Sequence, residues 1–105
     1  EAIALYLLAL ADNPDFVEAH FNLASALADA GDIPGALEHY RAAVRLRPEN
    51  AYYRSVLGIE LARQGDLAGA LEHFEEAARL EPREPAYQNN LARARGFGAP
   101  TPAPR

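Results

Sequence analysis

His20, His39 and His73 are the only imidazoles in this sequence, and Glu72, Glu75, Glu76 and Glu81 are its densest run of carboxylates. Imidazoles ligate zinc at ~2.0 Å, but only where three or four ligands converge. His39 and His73 occupy the same place in successive 34-residue segments. A full segment step keeps their nitrogens from sharing an ion, and no third ligand stands at helical spacing beside either. The pattern predicts solvated surface histidines and no metal. The glutamates share a predicted helix with Arg79, the arrangement of a salt-bridged, solvent-facing surface. Ser25 and Ser55 have no His–Asp pair in register. The glycines sit in no GxxxxGK[ST] or GxGxxG following a strand, so they build no phosphate cradle. With no cysteine in the chain, thiolate nucleophiles, disulfides and Cys-ligated metals are excluded. The residues predict no catalytic centre and no cofactor.

Charge narrows the partner classes further. The chain carries a formal charge of −5, and all ten of its basic residues are Arg. Phosphate contacts dominate affinity for nucleic acid, so an acidic chain without a basic stripe is not expected to bind it. No stretch reaches the ~18 apolar residues of a membrane span, and no basic leader with a cleavage site opens the sequence. Cytoplasm and periplasm both suit a cysteine-free chain. The lack of Lys beside abundant Ala, Gly, Pro and Arg points to a GC-rich bacterial genome.

The elements that must position these residues are set by self-similarity. Residues 17–50 and 51–84 align without a gap, and fourteen of 34 pairs are identical. Leu23/Leu57, Leu27/Leu61, Ala36/Ala70, Ala43/Ala77 and Pro48/Pro82 are among them. Tyr40/Phe74 is a conservative pair. Leu23, Ala24, Leu27 and Ala28 form one helical face. Gly31 supplies a left-handed residue that ends the first helix, and Asp32 caps a second. Pro34 falls in its first turn, where an amide has no intrahelical partner. Ala36, Leu37, Tyr40, Ala43 and Val44 form the second face, stopped by Pro48. Gly65, Asp66 and Pro82 repeat the punctuation.

The 34-residue period, the Gly-Asp turn, the small Ala36 and Ala70 and the closing prolines make the chain resemble a tetratricopeptide repeat. That resemblance implies an all-α, right-handed solenoid of antiparallel helix pairs. Residues 1–16 match the second helix of a preceding unit, 17–50 and 51–84 are full units, and 85–95 match a capping first helix. Residues 96–105, rich in Pro and Gly, are expected to form an extended tail. One departure is plain. The aromatic near the start of each unit, usually Trp, is replaced by His20, Arg54 and Gln88.

In the family the first helix of each unit lines a concave surface that holds a peptide or partner protein. The corresponding residues are Glu18, Phe21, Asn22, Ser25 and Asp29, then Tyr52, Ser55, Ile59 and Arg63, then Asn89, Asn90 and Arg93. Amides suit a peptide backbone and aromatics suit its side chains. The resemblance does not extend to the clamp by which chaperone-binding members hold a terminal carboxylate, since Phe21, Tyr52 and Val56 stand where charge or amide is needed. The first helix is apolar nearly all round, through Ile3, Leu5, Leu7 and Leu8, which predicts packing against upstream repeats or a second chain. The expected function is a protein-interaction module. Self-assembly through the first helix and a regulatory appendage of a larger enzyme are the alternatives.

Overall fold

The structure is a computed structural model that describes residues 2–98. Every element among them is a helix: α1 (Ala2–Asp12), α2 (Val17–Asp29), α3 (Ile33–Leu46), α4 (Ala51–Arg63), α5 (Leu67–Leu80) and α6 (Pro85–Gly98). The last helix continues past residue 95, where the sequence pattern ends it. Nothing crowds Gly96, so its backbone extends the helix at only the modest propensity cost of a glycine. The rest of the predicted tail, 99–105, lies outside the described residues.

Local sequence sets each boundary. Gly31 and Gly65 adopt φ of +90° and +88°, where a Cβ would be strained. At the first turn the Gly31 amide donates to Ala28 O at 3.0 Å and the Asp32 amide to Leu27 O at 2.8 Å. Gly65 and Asp66 repeat these bonds to Ala62 and Leu61. Both turns thus satisfy carbonyls that a helix end leaves bare. Asp32 then accepts from the Gly35 amide, and Asp66 from the Gly69 amide, at 3.1 and 2.9 Å. Asn50 caps α4 by accepting from the Tyr53 amide at 2.9 Å.

Packing runs in sequence order, each helix against the next, and α4 also touches α6. Ala36, Ala43, Ala70 and Ala77 are wholly buried, so the backbones approach closely where they pack. Leu23 and Leu57 fill the space between, each contributing about 2 kcal/mol by burial. One apolar cluster is continuous from Ala24 in α2 through Tyr40, Leu57 and Phe74 to Leu91 in α6. The molecule is elongated, 57 × 28 × 18 Å, as stacked pairs should be.

Gly58 records how tight this stack is. A Cβ there would lie 2.6 Å from the Phe74 ring. Gly58→Ala gains about 0.5–1 kcal/mol of helix propensity, but overpacking a filled core costs about 1–3 kcal/mol. The expected outcome is a net loss of stability, read as a lower urea midpoint. A midpoint equal to or above that of the parent would show that the ring yields freely.

Candidate peptide-binding face

Helices α2, α4 and α6 touch in succession. The first junction is aromatic: the Phe21 ring of α2 lies 4.8 Å from Tyr53, 5.5 Å from Tyr52 and 5.5 Å from Tyr40. Tyr52 is 56% exposed, and Asn22 beside Phe21 is also exposed. Exposed aromatic surface next to a free amide can pack a side chain and bond a backbone at one place. Tyr53 lies outside the residues that the sequence pattern places on this face, and Tyr40 falls in its core set. Their contribution depends on inter-helix packing, although the adjacent Tyr52–Tyr53 pair is a usable signal.

The predicted serines are differently placed. Ser55 is only 4% exposed, and its hydroxyl accepts a hydrogen bond from Asn90 Nδ2 at 3.0 Å. It ties α4 to α6 and offers a ligand nothing, so it leaves the set of surface contacts. Asn90 spends one donor on the same bond. Ser25, half-buried, shares a hydrogen bond with the Tyr40 hydroxyl at 3.1 Å. Burial raises the pKa of that phenol, which favours its protonated form. Arg63, Asn89 and Arg93 are exposed, and Ile59 is half-buried.

Two hollows open beside these residues. One, of about 440 Å³, is lined by Ile59, Arg63, Leu67, Phe74, Asn90 and Arg93, with Ala62 and Ala94. The other, of about 360 Å³, lies at the opposite end of α4 between Tyr52, Tyr87, Glu49 and Glu81. The face therefore has an acidic aromatic end and a basic apolar end.

The histidines are half-buried and hydrogen-bonded, where the sequence pattern expects them free in solvent. His39 Nδ1 lies 3.0 Å from His20 Nδ1, with the rings stacked at 5.2 Å, between the two helices of one pair. Spacing within one helix cannot reveal a partner 19 residues away on the antiparallel neighbour. His20 Nε2–H donates to Pro14 O at 2.7 Å, which leaves its Nδ1 to accept from His39 Nδ1–H. In the next pair His73 Nδ1 accepts from Arg54 at 3.5 Å. Among the described residues no three potential ligands converge on a metal position. The carboxylate run is as surface-like as its pattern implies: Glu76 pairs with Arg79, whose hydrogen bond lowers the glutamate pKa, and Glu75 lies 3.8 Å from Arg95.

Two family profiles described as tetratricopeptide repeat match residues 1–51 and 51–84. The chain belongs to the tetratricopeptide repeat family. Its fold also matches the first tetratricopeptide domain of Spaghetti (RPAP3) bound to the HSP90 peptide SRMEEVD. The TM-score is 0.81 at 21% identity, over 92% of this chain and 78% of that one. No curated protein sequence matches. Tetratricopeptide repeats are protein-interaction modules, and none of the described residues assembles a catalytic constellation.

Against the tetratricopeptide pattern, the replaced aromatic acquires a specific meaning. His20 Nε2, Arg54 Nε and Gln88 Nε2 each donate to the carbonyl of the proline six residues earlier: Pro14 at 2.7 Å, Pro48 at 2.7 Å and Pro82 at 3.1 Å. Three different side chains make the same bond across the turn that joins one unit to the next.

This polar arrangement gives the tetratricopeptide stack a pH dependence. Burial first, then the His20 ring, lowers the pKa of His39; burial first, then Arg54, lowers that of His73. A folded-state pKa below the unfolded one means that acid favours the unfolded chain. The contribution is therefore complete above the ordinary histidine value near 6.5 and is lost as pH falls below it. Melting followed by circular dichroism should give a lower Tm at pH 5.5 than at pH 7.5. The drop should shrink in His39→Gln with His73→Gln; an equal drop in that variant would assign it to other groups.

Proposed function

We propose that the face formed by α2, α4 and α6 holds an extended peptide or a segment of a partner protein. The observation that carries this reading is the aromatic junction: Phe21 stacked on Tyr53, with Tyr52 and Asn22 left open beside it. Phe21, Tyr52 and Tyr53, backed by the buried Tyr40 ring, present a rigid aromatic surface with little entropy left to lose on binding. Asn22 can give and take a hydrogen bond with a backbone at the same place. The peptide in the structure of the Spaghetti domain supports the mode of binding. The sequence of that peptide is not carried over, because Phe21, Tyr52 and Val56 are neither cationic nor, in these three places, amides.

A second reading rests on α1. Leu5, Leu7 and Leu8 are 63, 52 and 67% exposed, and no residue of that helix is buried, while Ile3 is partly covered. Each leucine so placed forgoes about 1.5–3 kcal/mol of burial, which favours association through this helix with another repeat or a second copy.

Affinity capture separates the readings. Wild type should retrieve partners that a Phe21→Ala, Asn22→Ala, Tyr52→Ala variant loses, while Leu5→Ser with Leu8→Ser should leave those partners bound and change only the oligomeric state. Retrieval of the same proteins by the wild type and the triple variant would rule out the aromatic junction.

A further inference from the structure

The two intervals of this face are built on the same 34-residue register, yet they are opposite in character. Between α2, α3 and α4 the first interval presents Ser25, Asp29, Tyr40, Ile59 and Glu60. One register step on, between α4, α5 and α6, the same places hold Ile59, Arg63, Phe74, Arg93 and Ala94.

In the first interval polar groups hold these places. The Tyr40 hydroxyl reaches Ser25, and the buried Glu60 side chain is held by Gln64 Nε2 at 3.1 Å with Arg63 at 3.6 Å. In the second, Phe74 lacks the hydroxyl and Ala94 leaves only a methyl where Glu60 had a carboxylate. A cleft of about 440 Å³ results, with Ile59, Leu67 and Phe74 among its walls. That volume lies within the range of about 300–1,000 Å³ usual for ligand pockets.

Charge reverses with it. Asp29 and Glu60 are replaced by Arg63 and Ala94, and Ile59 by Arg93. Two guanidinium groups therefore border an apolar cleft on a chain whose net charge is −5. Arg93 forms no ion pair among the described residues. Arg63 contacts Glu60 only from an exposed position, where solvent weakens the pair and frees the fork for another carboxylate.

We infer that this second interval is a subsite for an aliphatic side chain flanked by carboxylate, carried on an extended peptide. The inference rests on the proposed peptide-binding face and names the chemistry that one end of it selects. The aliphatic group enters between Ile59, Leu67 and Phe74, while the carboxylate meets the Arg63 and Arg93 forks.

The test is a ¹⁵N–¹H titration of the 105-residue chain with a capped heptapeptide carrying one leucine between two glutamates. Parallel arms replace both glutamates by glutamine, replace the leucine by alanine, or end the peptide at leucine with a free carboxylate and no glutamate. The last arm distinguishes a terminal from a side-chain carboxylate.

The expected result is a shift of amides in 59–63 and 90–94 that saturates with the glutamate peptide. Affinity should fall at least tenfold with the glutamine peptide and in Arg63→Gln with Arg93→Gln, a difference of about 1.4 kcal/mol or more. Ala94→Glu, which refills the cleft as Glu60 does in the first interval, should lose binding while helicity stays unchanged. Equal binding of glutamate and glutamine peptides, or shifts confined to the neighbourhood of Phe21 and Tyr52, would overturn the subsite and leave the peptide-binding face standing. Absence of any shift along α2, α4 and α6 would overturn both.

Discussion

Each helix pair of this chain has more apolar surface than its own two helices can cover, and the next pair has to cover the remainder. The dependence is visible in the single cluster that runs unbroken from Ala24 to Leu91. It is possible only because Ala36, Ala43, Ala70 and Ala77 present methyl groups where a larger side chain would hold the helices apart. Polar bonds follow the same junctions: His20, Arg54 and Gln88 reach back to Pro14, Pro48 and Pro82, and Asn90 reaches Ser55. Stability and shape are thus set between units more than within them.

That constraint also determines where specificity can reside. Positions facing the neighbouring helix are held to Ala, Leu or an aromatic ring. Exposed residues at the α2–α4–α6 face are freer to vary, and there Asp29 gives way to Arg63 one register step on, which reverses a charge. Glu60 against Ala94 removes a buried carboxylate. A repeated scaffold thereby carries an unrepeated surface.

The helix pairs, their turns and their buried faces are legible in the sequence because they depend on local rules. A positive φ requires glycine at residues 31 and 65, Asp32 and Asp66 cap α3 and α5, and apolar spacing sets the faces. The features that sequence does not reveal depend on which residues of different helices meet. Ser55 has the spacing of a surface residue and is consumed by Asn90; His39 has that of a solvated one and lies against His20. Tyr53 falls off the predicted face and stacks on Phe21. Each of these is decided by a crossing between helices that spacing along one helix does not encode. The opposite characters of the two intervals are present in the register, but the cleft follows from geometry.

The most direct measurement of mutual dependence is made on a single unit. A peptide of residues 17–50, studied by far-ultraviolet circular dichroism and thermal melting beside the whole chain, should be mostly coil and should lose its residual helix gradually. The whole chain should melt in one cooperative step. A cooperative transition in the isolated unit, with helicity per residue equal to that of the full chain, would contradict the account.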